Sequence, residues 1–405
     1  MATGAAWITG IGVHSALGGA EEVWRALLAD QSGVGMHGLP GIEDFPAVPS
    51  APVIDAAPVR YVHDRKLIKY MNLATQLAVS AAGRAMESAT LVQDALACAN
   101  TALFVATGLT AFDFTSVAGA LSASKGIDGE LDLKRLGTEG FDRCNPLMPF
   151  RTLLNMPLGM VSIALGIRGE NAIYYPGVDQ AGVCLETALR GIRNGRFSRA
   201  LAGASVHAHS LMPLCALRRL GRLASSPERA RPFRPDHEGY APADAAGFVV
   251  LESRDGASLR GAKPLATLEG VITGRSARGT QADRIARRSS QWRSLTGDER
   301  PDLVLCAGGL AREDDQVDEE SSTRLWGTQP PRLSTLDGHL GYQGVASLPC
   351  AVAIAARMLL EGRVPGSLLA IANEPIRRIL ISASDPDGGF AAALVARHGD
   401  LRCDA

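Results

Sequence analysis

Short apolar runs alternate with longer stretches whose apolar residues recur every third or fourth position. This alternation confines the chain to an α/β architecture. AAWITGIGV opens as a strand running into a glycine turn, and TALFVATGL reads as a buried strand. ALAGASV and AGFVVLES are strands on either side of a polar, proline-rich loop, SSPERARPFRPDHEGYAPAD. Residues 66–88 carry the helical spacing throughout and predict one long packed helix; PFRTLLNMPLGMVSIALG predicts another. After Glu252 the pattern partly restarts, with LATLEGVITG, then DLVLCAGG as strand and turn, then a helix through DDQVDEESSTRLWG. SLPCAVAIAARMLLEG is an amphipathic helix, and ILISASDPDGGFAAALVAR closes the chain as a strand hairpin. The restart divides the chain into two similar halves, roughly 1–255 and 256–405. The arginine-rich segment SARGTQADRIARRSSQWRSLTGDER reads as a solvated helix or loop.

A chain of 405 residues is too long for one simple core. With 46% hydrophobic and 20% charged residues it is globular rather than disordered. A net charge of -1 without long runs of either sign excludes a general nucleic-acid or membrane-surface role. The opening MATGAAWITGIGVHSALGG lacks a basic n-region and does not read as a signal peptide. No apolar window is long enough to predict a membrane span. Seven scattered cysteines without a CxxC pair suggest reduced thiols and a cytoplasmic location. His207 and His209 form the one close histidine pair, but no clustered cysteine or carboxylate accompanies them, so no metal site is expected.

One stretch, YYPGVDQAGVCLETALRGIRNG at 174–195, reads as a buried strand turning sharply into an amphipathic helix. Such a corner is where several enzyme folds expose a nucleophile. The side chains at this corner are Val178, Asp179 and Gln180, and the nearby thiol, Cys184, lies a full turn into the helix. A buried structural cysteine is the simpler reading of Cys184.

Four segments, in order, resemble the β-ketoacyl synthases of the thiolase fold. ITGIGVHSALGGAEEVWRALLADQSGV is similar to that family's opening strand, turn and helix. NPLMPFRTLLNMPLGMVSIALGIRGENAIYYPG resembles the approach to the active-site elbow. RPFRPDHEGYAPADAAGFVVLESRDGASLRGAK resembles the join between halves, and LDGHLGYQGVAS the Gly-His segment of the C-terminal half. The resemblance implies two pseudo-symmetric βαβ halves in a five-layer α-β-α-β-α sandwich, with no cofactor. It also implies a site containing a cysteine thiolate at a helix N-terminus, two histidines and a lysine.

Carried over position by position, most of that site is missing. The gap-free register puts Val178 at the cysteine position and keeps Leu185, Leu189 and Ile192 on one helical face. The other register aligns DQAG with the Glu-Gln-Ala-Gly stretch of chain-length factors and puts Gln180 there. Neither side chain forms a thioester. The first histidine's position holds Ala307, and the lysine's, five before His339, holds Ser334; His339 alone keeps its identity. The Phe-Gly-Phe-Gly-Gly gate reads Asp385-Pro386-Asp387-Gly388-Gly389, so two acids, Asp385 and Asp387, replace two aromatics.

The resemblance therefore points to the chain-length factor, the silent partner of an active ketosynthase in type II polyketide synthases. Phe112-Asp113-Phe114-Thr115 is similar to that group's Phe-Glu-Phe-Thr at the start of the interface helix. The tunnel-ending positions map onto Phe112, Thr115 and Gly119, spaced i, i+3, i+7 and so on one helical face. Expected partners are an active ketosynthase, as a heterodimer, and an acyl carrier protein. Alternatives are a malonyl-decarboxylating loading synthase, which would keep both histidines, and a non-catalytic homodimeric acyl-binding protein.

Overall fold

The structure, a computed structural model, describes residues 5–109, 114–276, 279–368 and 375–399, with the side chains of Thr115 and Pro149 outside it. The N-terminal half contributes the strands β1 (Ala6–Ser15), β2 (Ala102–Thr107), β3 (Asn171–Tyr174), β4 (Arg199–Val206) and β5 (Ala245–Glu252). The C-terminal half contributes β6 (Ala266–Arg275), β7 (Leu303–Ala307), β8 (Arg332–Thr335), β9 (Arg378–Ser384) and β10 (Gly389–Ala396). Their order is β8-β7-β9-β10-β6-β1-β5-β4-β2-β3. Counted within each half, the order is third, second, fourth, fifth, first in both. The second strand is parallel to the third and fourth, and the fifth is antiparallel to its neighbours. Repetition of both order and direction is the internal symmetry that the sequence restart suggested. The two five-stranded sheets meet edge to edge through a short antiparallel ladder pairing Ala6–Ile8 with Ala266–Leu268.

Helices fill the remaining layers. Helix α1 (Leu73–Ser88) covers the outer face of the N-terminal sheet together with α2 (Met156–Leu165). Helix α1 lies flush on β1, where a Cβ added to Gly12 would come within 2.0 Å of the Ala81 carbonyl oxygen. Only glycine permits that approach. Helices α3 (Val178–Arg193) and α4 (Ser347–Glu361) form the central layer and touch both sheets. Burial on both sides explains why α4 is apolar nearly all round. Helices α5 (Gln281–Thr296) and α6 (Arg312–Trp326) cover the outer face of the C-terminal sheet. The result is the five-layer, thiolase-like arrangement.

Three local expectations need correction. The helix expected over 66–88 starts only at Leu73. The Asn72 carboxamide oxygen accepts the Thr75 N–H at 2.9 Å and caps it, while Arg65–Tyr70 forms a separate 3₁₀ segment. The helix expected over 149–166 is interrupted, giving Met148–Thr152 and then α2. The arginine-rich segment read as solvated contains α5, which buries Ile285, Ser289, Trp292 and Thr296 on one face. Trp292 is fully enclosed, and its indole N–H donates to Ser382 at 3.0 Å.

Candidate functional site

The chain enters α3 through Gly177, whose backbone is extended, and Val178 is the first helical residue. The Val178 side chain is fully buried in the core shared by the two halves. Its backbone N–H donates to Asp385 Oδ2 at 3.2 Å, across 207 residues of sequence. The other oxygen of Asp385 accepts the N–H groups of Asp387 at 3.0 Å and Gly389 at 2.8 Å. A Cβ added at Gly177 or Gly389 would lie 2.6 or 2.5 Å from Asp385 Oδ2, so the carboxylate is closely enclosed by backbone. An anion thus rests at the positive end of the central helix, supplied by the chain itself.

The neighbouring side chains are equally committed. Asp179 is buried, with Oδ1 3.3 Å from Arg275 Nη2 and Oδ2 accepting the Gln180 amide at 3.0 Å. Thr273 Oγ1 donates to the Asp179 carbonyl at 2.6 Å. Val178 and Gln180, the two candidates for the nucleophile position, therefore sit in one helical turn, one in the core and one hydrogen-bonded along the rim. Cys184 lies wholly inside, its Sγ 3.5 Å from the Gly203 carbonyl oxygen, and burial pushes its thiol up to about 12. Such a group is not a thiolate near neutral pH.

Replacing Asp385 with alanine is expected to leave three N–H groups unpaired and to destabilise the protein by about 1–3 kcal/mol. Scanning fluorimetry should read a Tm drop of roughly 2–5 °C. Asp385→Asn, which keeps an acceptor, should recover part of it. An alanine variant melting with the wild type would show that the carboxylate holds nothing together.

At the end of β7, Ala307 places a methyl group where the resemblance implies a histidine, and Gly308 turns with φ +81°. The Gly308 N–H donates to Asp337 Oδ2 at 2.9 Å, and the Tyr240 hydroxyl donates to the Gly308 carbonyl at 3.0 Å. Tyr240 stacks on Tyr342 with ring centroids 4.2 Å apart. Behind them His237 Nδ1 lies 2.8 Å from Asp315 Oδ2, which also accepts the Phe233 N–H at 2.9 Å. Burial pushes the Asp337 carboxyl up to about 7. The Gly308 N–H and the His237 charge oppose that rise, and Asp315 adds to it. The corner is thus built on a buried acid-histidine network rather than on a histidine facing a substrate.

The retained His339 is buried, with Nδ1 3.0 Å from the Gln31 carbonyl oxygen, while its own carbonyl accepts the Gly33 N–H at 2.8 Å. Its ring ties the Gly-His segment to residues 31–33. Ser334 is buried within β8, in register with Leu305 of β7. The Asp385 carboxylate and the Gly308 backbone bring the elbow, the Ala307 corner and the 385–389 loop together. Gly308 packs so closely on Ser384 that an added Cβ would come within 1.9 Å of its carbonyl oxygen.

Of the positions that the resemblance assigns to a tunnel, Phe112 lies outside the described residues. Thr115 and Gly119 belong to the helix Phe114–Ala123, which begins with the exposed Phe114. A Cβ at Gly119 would find its nearest neighbour, Arg143 Cβ, 3.9 Å away, so the chain itself leaves room there.

Sequence reasoning missed the polar members of the site. His237, Asp315 and Asp337 were not singled out, and Asp385 was read only as a lost gate aromatic. His207 and His209 prove to share one acid. Asp244 Oδ1 lies 2.9 Å from His207 Nδ1 and accepts the His209 backbone N–H at 2.9 Å.

Comparison with known proteins gives a consistent result. Residues 6–257 match the family described as Beta-ketoacyl synthase, N-terminal domain. The chain is 24% identical over 380 residues to a 3-oxoacyl-[acyl-carrier-protein] synthase 2 of Synechocystis sp., covering 89% of this chain and 86% of that protein. It is also 24% identical over 428 residues to the Tetracenomycin polyketide synthase ketoacyl synthase beta subunit of Streptomyces glaucescens, covering 97% and 98%. Among solved structures, the ishigamide ketosynthase/chain length factor superposes with a TM-score of 0.80 at 21% identity, over 98% of this chain and 100% of that one. A family match across well over half of the chain, on a fold shared from end to end, means that this protein belongs to the β-ketoacyl synthase family.

Proposed function

We propose that this chain is a chain-length factor. In that role it pairs with an active ketosynthase and shapes the tunnel in which a polyketide or polyene chain, tethered to an acyl carrier protein in the cytoplasm, is elongated. The observation that carries this reading is the elbow, whose first helical residue is buried Val178 and whose helix N-terminus is occupied by Asp385. A condensing enzyme needs that position for its own thiolate. The kinds of protein among the relatives, a ketoacyl synthase beta subunit and a ketosynthase/chain length factor, support it.

The surface supports a partner of the same fold. Among the described residues, strand β3 ends the sheet and is paired on one side only, by β2. In the segment that connects β2 to β3, Phe114, Leu121, Ile127, Phe141, Phe150 and Ile163 are exposed. An open edge together with so much exposed apolar surface is a liability in an isolated protein and an asset in an obligate complex. Coexpression with a synthase that keeps the cysteine and both histidines should yield a one-to-one complex of about twice the 42.5 kDa chain mass. Its interface should exceed about 2,000 Å². A monodisperse monomer that ignores such a synthase would contradict the reading.

Gly119→Trp tests the tunnel. A Cβ at Gly119 meets nothing in this chain closer than 3.9 Å, so the complex should stay intact while its product shortens by about one or more two-carbon units, since packed interiors leave a growing chain no slack. An intact complex making products of unchanged length would show that this helix face does not set chain length.

A further inference from the structure

A half-open cavity of about 560 Å³ lies in front of the Gly308 corner and the Asp385–Gly389 loop. Four arginines line it, namely Arg222, Arg284, Arg287 and Arg288, against three aspartates, Asp314, Asp385 and Asp387. The acids and two of the arginines are already engaged. Arg284 pairs with Asp314, whose Oδ2 also accepts the Leu310 N–H at 2.8 Å. Arg288 Nη1 lies 2.7 Å from Asp318 Oδ1 and donates to Ser382 at 2.8 Å. Asp385 is held by three backbone N–H groups, and exposed Asp387 lies in the field of Arg275.

Arg222 and Arg287 differ. Both are half-buried, and neither forms an ion pair or a side-chain hydrogen bond with another described residue. Arg287 lies in the field of Asp283, but that carboxylate is committed to the cap of α5, accepting the Thr280 N–H at 3.0 Å and hydroxyl at 2.8 Å. The Arg222 charge acts on the Tyr240 hydroxyl at the inner wall of the cavity. Two half-buried guanidinium groups in one concave wall, neither in an ion pair with a described residue, suit a ligand carrying two or more negative charges. Their planar forks match phosphate oxygens in paired hydrogen bonds. Gly279, Gly308, Gly388 and Gly389 keep bulk away from the same walls.

We propose that this cavity is a binding site for a small diphosphate anion, with Arg222 and Arg287 as its anchoring residues. The site lies beside the elbow and is independent of whether the chain sets product length. Ligand held here links Arg222 of the N-terminal half to Arg287 on α5 of the C-terminal half, and so braces the contact between the two halves.

The probe is inorganic pyrophosphate, titrated calorimetrically into the wild-type protein, alone or in its complex, at a fixed salt concentration of about 0.1 M. Saturable binding tighter than about 1 mM is expected. The Arg222→Gln/Arg287→Gln double variant should weaken it by about tenfold or more. Arg190→Gln, which removes an exposed arginine paired with Glu186 elsewhere on the surface, should leave it unchanged. Malonate, a dicarboxylate, should bind more weakly than pyrophosphate. Should the double variant fail to fold, hydrogen exchange on the wild type decides: pyrophosphate should slow amide exchange in 279–291 and 384–390. No saturable binding by the wild type up to about 10 mM, equal loss in Arg190→Gln, malonate binding as tightly, or unchanged exchange in those segments would each overturn the assignment.

Discussion

Glu252→Ala is expected to destabilise the protein by about 3–5 kcal/mol, a large part of the roughly 5–15 kcal/mol that holds a folded domain. Glu252 ends β5 and is wholly buried. Its carboxylate accepts the Thr9 hydroxyl at 2.5 Å, Arg199 Nε at 3.0 Å and Arg260 Nε at 3.0 Å. Arg260 in turn reaches the Ala89 carbonyl at 2.9 Å, so one acid pins β1, β4, β5 and the end of α1. Truncation leaves Arg199 mostly buried and without its counter-charge, the costliest way to break such a pair. Burial alone would raise the Glu252 pKa, but the hydrogen bonds of Arg260 and Thr9 and the charges of both arginines outweigh it and hold the pKa below the usual range. The sign follows from that direction. A depressed pKa adds stability above the unfolded value of about 4.3, and that stability is lost as pH falls through the folded value. The difference in melting temperature between wild type and Glu252→Ala should therefore be largest near neutral pH and narrow in acid. A variant that melts within about 1 °C of wild type at pH 7 would refute this role.

Asp337→Asn is expected to act in the opposite direction. The Asp337 carboxyl is raised to about 7, so the native state holds its proton where the unfolded chain, near 3.9, has lost it. A raised carboxyl favours folding in acid, and that contribution is lost as pH rises through the folded value. A three-unit separation corresponds to about 4 kcal/mol at 1.36 kcal/mol per unit, an upper bound for a group facing both His237 and Asp315. Asparagine is neutral at every pH and still offers an oxygen to the Gly308 N–H. The variant should therefore gain about 2–4 kcal/mol at pH 8, roughly a third of that at pH 5, and little below about pH 4. Thermal melts at the two pH values check it: equal effects at both, or a loss at pH 8, would mean that the buried charge is not what limits stability there.

Much of this protein was legible in the sequence because local rules write it there. The apolar runs that became β2, β4, β5 and β7 are short and bounded by turn residues, and the helical spacing of 178–193 survives as the buried Leu185, Leu189 and Ile192 of α3. The restart after Glu252 shows in the structure as a repeated strand order, because each half must cover the same kind of sheet with helices. That Val178, Gln180, Ala307 and Ser334 stand where the resemblance implies a thiol, a histidine and a lysine needs no coordinates to read. What the tertiary structure alone decided is where charge sits. A segment as polar as 276–300 looked solvated because arginines dominate it, yet one residue in each turn faces the core and Trp292 anchors it. Asp385 looked like a lost aromatic, since nothing near it in sequence announces a helix N-terminus 207 residues away. His237, Asp315 and Asp337 are ordinary loop and helix residues until folding removes their water, pairs His237 with Asp315 and sets Asp337 in the field of both. Periodicity is set by neighbours along the chain and can be read there; electrostatics is set by neighbours in space, and only the packed halves bring those together.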